Sequence, residues 1–171
     1  FGDEGINVGK TKYTGLFENE DINAYAYAVN GLLMSGWVEI DGAWYYFDPA
    51  TKKAANGIVN VDGIDFEFEE TGKLAHGTWV ETTEGTMYYY GPDHYTSGWQ
   101  EIEGEKYYFR NSYRLEGVQY AKNPENLDER LWFDFGEDGK AELMPDGLYK
   151  HTDGKLYYII GGRNQVGLQK V

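Results

Sequence analysis

The chain has 171 residues, with 29 acidic against 15 basic side chains, a formal net charge of −14 and no cysteine. This charge argues against nucleic acid and anionic lipid as partners, because both are recognised by basic surfaces, and it favours cationic or neutral ligands. The lack of cysteine excludes thiol catalysis, thiolate metal sites and disulfides. No stretch approaches the roughly 18 apolar residues of a membrane span, and no signal peptide is visible.

One short pattern recurs along the chain: a glycine, often a tryptophan, an acidic-glycine turn, and then aromatic-x-aromatic. The cleanest copy is residues 36–47 (GWVEIDGAWYYF), and residues 98–109 (GWQEIEGEKYYF) nearly repeat it. Intervals of 21, 21, 20, 21, 19, 30 and 20 residues separate the opening glycines, which are Gly15, Gly36, Gly57, Gly77, Gly98, Gly117, Gly147 and Gly167. Such periodicity predicts one all-β module over residues 1–171, a solenoid of stacked β-hairpin repeats of about 20 residues.

Each copy is predicted to form a β-hairpin. Acidic-glycine pairs separate two short β-prone runs at Asp41-Gly42, Asp62-Gly63, Glu103-Gly104 and Asp153-Gly154. Such pairs suit two-residue hairpin turns, because both positions need positive φ angles. No segment has a sustained helical period, so we expect helix content near zero. The long sixth interval predicts an enlarged loop over residues 121–129, since insertions in repeats normally fall in loops.

Side chains alternate across a strand, so each hairpin has two faces. We place the aromatic-x-aromatic column on a dry inner face, with the pairs Tyr25/Tyr27, Tyr45/Phe47, Phe66/Phe68, Tyr88/Tyr90, Tyr107/Phe109, Phe133/Phe135 and Tyr157/Ile159. The residue between each pair is predicted to face solvent on the outer face, because Glu67 and Asp134 occupy that column and a buried unpaired carboxylate is costly. On this division, Phe109→Ser unfolds several repeats, whereas Tyr46→Ser hardly changes the melting temperature.

Aromatic side chains on the outer face are candidate ligand contacts, because a contiguous exposed apolar patch often marks a binding site. The candidates, with one carboxylate among them, are Trp37, Glu39, Trp44, Tyr46, Trp79, Tyr89, Trp99, Tyr108 and Trp132. Flat aromatic rings can stack on sugar rings while a Glu or Asn side chain hydrogen-bonds the hydroxyl groups of the sugar. Rings around a gap beside a carboxylate can instead hold a quaternary ammonium by cation–π attraction. The alternative is that these side chains pack against the neighbouring hairpin or connector.

Residues 36–47 and 98–109 resemble the cell-wall-binding repeats of Gram-positive bacteria, a family that includes choline-binding modules, glucan-binding repeats and the repetitive tails of clostridial toxins. The resemblance covers nearly the whole chain and is weaker in the third, fourth and seventh copies. It implies a hairpin solenoid, a non-catalytic attachment role, and secretion to the bacterial cell surface or beyond. Because the sequence starts and ends inside repeats, we also expect it to be a fragment of a larger protein. The family's choline sites imply roles for Trp37 with Trp44, and for Trp99 with Tyr107 or Tyr108.

No two consecutive copies both open with Gly-Trp. The residue after the opening glycine is Trp37 in the second copy but Ile58 in the third, and it is Trp99 in the fifth copy but Val118 in the sixth. We therefore favour a polysaccharide or cell-wall glycan as the partner, with choline or another amine as the alternative. A spacer or protein-interaction stalk without a small ligand is the third hypothesis. Catalysis is not expected, because no motif singles out a carboxylate pair and the histidines lack a nucleophile motif nearby. We expect no cofactor and no metal, since the acidic segments match no EF-hand loop.

Overall fold

The computed structural model describes residues 7–8 and 11–165, which contain β-strands and turns and no helix. The prediction of an all-β chain of short hairpins is confirmed for these residues, and none of their segments is a helix that could cross a membrane. The copy that opens at Gly167 lies outside the described residues. The chain divides into two compact units, unit 1 (Phe1–Val80 and Tyr88–His94) and unit 2 (Glu81–Met87 and Tyr95–Val171).

Unit 1 is built from antiparallel hairpins that follow one another along the chain. A first small sheet pairs β1 (Asn7–Val8) with β2 (Thr11–Lys12). Hairpins 1, 2 and 3 then comprise β3 (Gly15–Asn19) with β4 (Ala24–Val29), β6 (Gly36–Ile40) with β7 (Ala43–Phe47), and β8 (Gly57–Val61) with β9 (Ile64–Phe68). In hairpin 1 the connector adds a third strand, β5 (Leu32–Leu33). Hairpin 4, of β10 (Thr78–Glu81) and β11 (Thr86–Tyr89), has residues in both units.

Unit 2 repeats the same plan, with a short connector strand after every hairpin. Hairpins 5, 6 and 7 comprise β12 (Gly98–Ile102) with β13 (Glu105–Arg110), β15 (Val118–Asn123) with β16 (Asn126–Asp134), and β18 (Gly147–Lys150) with β19 (Leu156–Ile160). The connector strands are β14 (Tyr113–Arg114), β17 (Glu142–Leu143) and β20 (Arg163–Asn164).

The acidic-glycine turns form as predicted in hairpins 2, 3 and 5. In hairpin 2, Ile40 pairs with Ala43, and the two turn residues, Asp41 and Gly42, have φ angles of 50° and 78°. These left-handed values suit the right-handed twist of the flanking strands. Hairpin 7 differs, because Lys150 pairs with Leu156 and leaves a loop over residues 151–155. The two-residue turn predicted at Asp153-Gly154 is therefore wrong.

The predicted loop over residues 121–129 is also wrong. The additional residues of the sixth copy lengthen β15 and β16, and only Pro124 and Glu125 lie between the two strands. The pairing slips between Lys122 and Asn123, where β16 accommodates unpaired residues. The insertion thus lengthens the hairpin: residues 121–123 have cross-strand partners, and residues 127–129 form a bulge in β16.

The predicted inner pair of hairpin 1 is displaced by one residue. Gly15 pairs with Ala28 as Gly36 pairs with Phe47, so Ala26 and Ala28, both fully buried, replace the predicted pair Tyr25/Tyr27. Hairpin 1 has a longer turn than the cleanest copy, and the longer turn shifts the register of the second strand. In hairpin 4, Tyr88 is buried as predicted, at 7% exposed, whereas Tyr89 is half-buried and bridges His94.

In both units the outer face of one hairpin packs against the inner face of the next. Ring centroids are 6.2 Å apart for Tyr27–Phe47, 5.0 Å for Trp37–Phe66, 5.0 Å for Trp99–Phe133 and 5.5 Å for Trp132–Tyr157. The connectors of hairpins 3 and 6 also bond to the second strand of the hairpin before their own. The Leu74 N–H donates to the Trp44 carbonyl and the Ala141 N–H to the Lys106 carbonyl, both at 2.8 Å. Hairpins 2 and 6 therefore have two covered faces.

The prediction of a solvent-facing outer flank is accordingly wrong for these hairpins. Tyr46 is half-buried and packs on a cluster of Ala55, Val61, Phe66 and Phe68. A second cluster in unit 2 contains Tyr108 with Leu131, Phe133 and Phe135. Among the hairpins that the structure describes, hairpin 3 has an exposed outer face, on which Asn60, Asp65 and Glu67 are exposed. The expectation that Tyr46→Ser hardly affects stability loses its basis.

Candidate functional site

The predicted site residues fall into two groups, those buried between hairpins and those that border a cavity. Tyr107 and Tyr108 belong to the first group, since they are 7% and 9% exposed, and neither offers a ring face to a ligand. Trp99 is half-buried against Phe133 and Phe135, and its indole N–H donates to the Lys122 carbonyl at 2.7 Å. The Trp99 neighbourhood is therefore a hairpin contact in unit 2.

Two further tryptophans also have ring partners. Trp132 packs beside Tyr120 and His151, with centroid distances of 5.4 and 5.3 Å. Trp79 lies 4.7 Å from Tyr88 in an edge-on arrangement, which matches the spacing of Trp37 with Tyr46 at 5.3 Å. These contacts place both tryptophans within packed aromatic groups.

Trp37 and Tyr89 border a cavity of about 230 Å³ in unit 1, which we name the Trp37 pocket. Its lining comes from hairpins 2, 3 and 4 and consists of Trp37, Val61, Asp62, Ile64, Phe66, Tyr89, Gly91 and Pro92. Three aromatic rings and three aliphatic side chains make it apolar, and Asp62 supplies one carboxylate at the exposed rim. The pocket can receive a small ligand with an apolar face and one polar or cationic group.

Local backbone geometry explains how the pocket forms. Asp62 is the first residue of the turn of hairpin 3, with a φ angle of 52°, and the turn holds its carboxylate at the pocket rim. Gly91 has a φ angle of 136°, and a Cβ built there would lie 2.6 Å from Cδ1 of Trp44. Because no other residue fits both conditions, Gly91 lets the chain from Tyr89 to Pro92 lie directly against the indole of Trp44. Trp44 thus supports the pocket from behind, while Glu39 is exposed opposite it.

The pKa of Tyr46 is affected by the carboxylates near this pocket. Burial raises the pKa of the Tyr46 phenol, and the carboxylates of Asp62 and Asp48 raise it further. The negative charge of Asp62 is thus felt at the Tyr46 phenol. This negative field favours a cationic group in the pocket.

Unit 2 contains a larger cavity of about 420 Å³ beside the long hairpin 6. It is lined by Asn123, Pro124, Glu125, Leu131, Phe133, Leu143, Gly161 and Arg163. An ion pair fixes one wall, since Arg163 donates to Glu129 at 2.7 Å and the Asn123 amide donates to the same carboxylate at 2.9 Å. Both hydrogen bonds lower the pKa of Glu129, the one from Arg163 most. Hydroxyl-bearing ligands could use these polar groups.

Sequence reasoning found Trp37 and Tyr89 but missed Asp62, Phe66 and Gly91. Asp62 was interpreted only as a turn residue and Phe66 only as an inner-face residue. The one available signal was the run Gly91-Pro92-Asp93, which marks a tight turn directly after an aromatic strand. Across the described residues no group of three or more His, Cys, Asp and Glu could hold a metal ion.

Hairpin 7 is expected to lose stability in acid. The Lys155 N–H, the Tyr157 hydroxyl and His151 lower the pKa of Asp153, so its folded form prefers the carboxylate. This stabilisation is present above the ordinary aspartate pKa and is lost as the pH falls through the lowered value, below about pH 4. Hydrogen exchange of residues 156–160 between pH 3 and pH 6 measures it, and Asp153→Asn should remove most of the pH dependence. An unchanged profile in Asp153→Asn would contradict the assignment.

The comparison with protein families agrees with this geometry. The model of the cell wall binding repeat matches residues 35–49 and 97–112, which contain hairpins 2 and 5. The resemblance to this family that was drawn from the sequence is therefore confirmed for these two segments.

Relatives occur among large bacterial proteins. Toxin A of Clostridium novyi is 31% identical over 96 residues, which make up 49% of this chain and 4% of the toxin. Glucosyltransferase-S of Streptococcus mutans is 26% identical over 156 residues, or 88% of this chain and 10% of that protein. The chain thus spans a tenth or less of the length of these relatives. Among solved structures, choline binding protein F of Streptococcus pneumoniae is 20% identical with a TM-score of 0.38, covering 90% of this chain and 52% of that one.

Proposed function

We propose that this chain is a non-catalytic module that binds a carbohydrate or cell-wall polymer and attaches a larger secreted protein to it at a bacterial cell surface. The match of two segments of the chain to the cell wall binding repeat supports this proposal. The observation that carries it is the Trp37 pocket, where the rings of Trp37, Phe66 and Tyr89 meet the carboxylate of Asp62. Sugars offer both partners that such a site needs, an apolar ring face and hydroxyl donors.

The size of the pocket limits the ligand. Ligand pockets for drug-sized molecules usually measure about 300–1,000 Å³, so a cavity of about 230 Å³ suits one sugar unit of a longer chain. The larger cavity beside hairpin 6 would then receive a second segment of polymer through Asn123, Glu125 and Arg163. Several weak sites in one chain give useful avidity for a repetitive polysaccharide.

A second candidate function is binding of choline or a related amine. The Asp62 carboxylate beside three rings is the arrangement that attracts a quaternary ammonium, and each cation–π contact contributes roughly 0.5–2 kcal/mol. The charge of Asp62 therefore distinguishes the two ligand classes.

Tryptophan fluorescence titration of the chain and of Asp62→Asn tests the proposal. Asparagine tolerates the positive φ angle at this turn, so the variant removes the charge and retains the fold. We expect isomaltotriose to change the fluorescence of both proteins with affinities within about twofold, because a neutral sugar gains only a hydrogen bond there. The amine function would be identified if choline saturates the unchanged chain and binds Asp62→Asn about tenfold more weakly. Silence with both ligands would contradict both.

We also propose that all the hairpins form one solenoid module. The support is the repeated junction, in which an outer face covers the next inner pair at hairpins 1–2, 2–3, 5–6 and 6–7. Around the Trp37 pocket, Glu39, Trp44 and Tyr46 stay proposed ligand contacts alongside Trp37 and Tyr89. Trp79, Trp99 and Trp132 stay proposed contacts where their ring edges reach solvent.

A further inference from the structure

We infer that the cavity beside hairpin 6 binds an N-acetylated amino sugar of a glycan and that it recognises the acetamido group. This inference rests on the proposed function and deepens it, because it names the kind of sugar that unit 2 takes. It depends on residues of the sixth copy and not on the rings of the Trp37 pocket.

The cavity owes its existence to the extra length of hairpin 6. Ala121 pairs with Leu131 as Ile102 pairs with Glu105 in hairpin 5. Residues 122–130 therefore stand where hairpin 5 has only a two-residue turn. Three residues of this extension line the cavity, namely Asn123, Pro124 and Glu125. The site thus belongs to this copy, since the copies of 19 to 21 residues have no counterpart of the extension.

One part of the cavity lining is apolar. Leu131 and Phe133 are each 6% exposed, and Leu143 of the connector strand β17 is 48% exposed. A Cβ built at Gly162 would lie 2.6 Å from Cδ1 of Leu143 and 3.2 Å from Cβ of Leu131. The connector of hairpin 7 therefore packs directly against both leucines. Together these side chains offer a methyl-bearing ligand an apolar wall, in a cavity of about 420 Å³.

The polar part of the lining is held by a hydrogen-bond network. Nε of Arg163 and the amide of Asn123 donate to the two carboxylate oxygens of Glu129, at 2.7 and 2.9 Å. The Glu125 N–H donates to Oδ1 of Asn123 at 3.0 Å. Among the residues that the structure describes, neither the Nη groups of Arg163 nor the Glu125 carboxylate has a hydrogen-bond partner. Both a fixed donor and an acceptor are thus available to a ligand.

The charges of the lining favour a neutral ligand. Arg163 and Glu129 form an ion pair, and the carboxylate of Glu125 leaves one further negative charge. A carboxylate or phosphate ligand is disfavoured by Glu125, because like charges repel. A cationic ligand is disfavoured in the same way by the guanidinium of Arg163.

An acetamido group matches all three features of the cavity. Its carbonyl oxygen can accept from the Nη groups of Arg163, and its N–H can donate to the carboxylate of Glu125. Its methyl group can lie against Leu143 and the other apolar side chains, where burial is favourable. An unsubstituted sugar has hydroxyl groups for the polar residues but no methyl group for the apolar wall.

Nuclear magnetic resonance titration of the ¹⁵N-labelled 171-residue chain tests the inference. The ligands are triacetylchitotriose and cellotriose, which share one linkage and differ in an acetamido or a hydroxyl group on each ring. The amide signal of Gly161, which lines the cavity, measures affinity at this site. The indole N–H signal of Trp37 measures binding at the Trp37 pocket, with isomaltotriose as the ligand.

We expect triacetylchitotriose to bind at Gly161 at least about fivefold more tightly than cellotriose, because its methyl group is buried. Leu143→Ala should weaken the binding of triacetylchitotriose about threefold or more. Arg163→Lys retains a cation beside Glu129 but lacks the Nη groups, so it should weaken the binding about tenfold. The matched control is Leu148→Ala, at an exposed leucine outside the cavity, which should leave the affinity unchanged.

Equal affinities of the two trisaccharides at Gly161 would overturn the inference, and so would an unchanged affinity for triacetylchitotriose in Leu143→Ala. N-acetylalanine amide that binds at Gly161 as tightly as triacetylchitotriose would overturn it as well, because the cavity would then be a peptide site. If isomaltotriose shifts the Trp37 signal while triacetylchitotriose leaves Gly161 unchanged, this inference alone fails. The reverse result would support it and contradict the function proposed for the Trp37 pocket.

Discussion

Trp37→Ala is expected to lower the free energy of unfolding by about 3 kcal/mol, at the lower end of the range for large aromatic side chains in cores. Trp37 contacts Phe66 and Phe68 of the next hairpin, with centroid distances of 5.0 and 5.6 Å, as well as Tyr46 of its own. Removing the indole leaves a cavity between two hairpins that only the intact ring fills. Urea denaturation followed by circular dichroism measures the change.

Ile58→Ala is the matched control for this prediction. Ile58 follows its opening glycine as Trp37 does, in the same unit, but it is 76% exposed. Its loss should therefore change stability by no more than about 0.5 kcal/mol. Comparable losses at Trp37 and Ile58 would mean that the hairpin junction contributes nothing specific to stability.

Tyr108→Ala should destabilise unit 2 by about 3 kcal/mol, because this ring is 9% exposed and belongs to the cluster of Leu131, Phe133 and Phe135. A division into one dry and one wet face predicts no such loss, since Tyr108 lies in the column that Glu67 and Asp134 occupy elsewhere. Thermal and urea unfolding of the variant decide between the two expectations.

Tyr158→Ala supplies the comparison, since Tyr158 has the same cross-strand position in hairpin 7 and is 46% exposed. We expect it to cost about 1 kcal/mol or less, as exposed substitutions usually do. A loss at Tyr108 as small as that at Tyr158 would show that coverage by the next hairpin does not determine stability.

The sequence predicted the hairpins because their signals are local. The two-residue turns at Asp41-Gly42 and Glu103-Gly104 and the inner pairs Phe66/Phe68 and Phe133/Phe135 agree with the structure. In these copies turn length and strand alternation determine the register together. Where the turn lengthens, as between Asn19 and Ala24, the same alternation starts one residue later and the predicted faces exchange.

Whether an outer face is buried or exposed could not be predicted from its own repeat, because packing by the following repeat determines it. Identical positions hold Trp37, Ile58, Trp99 and Leu148, and only packing by the next hairpin distinguishes the covered from the exposed ones. The Trp37 pocket was partly missed for the same reason. Its residues come from three hairpins, so no single copy of the motif contains the site.

The central claim is that the tryptophan of one hairpin stabilises the protein through the aromatic pair of the next. A double-mutant cycle with Trp99→Leu and Phe133→Leu measures this most directly, since their rings meet edge-on at 5.0 Å. Leucine at each position retains an apolar side chain, which helps the variants to stay folded. We predict a coupling free energy of about 0.5–1.5 kcal/mol between the two substitutions. Additive losses, within about 0.3 kcal/mol, would contradict the claim.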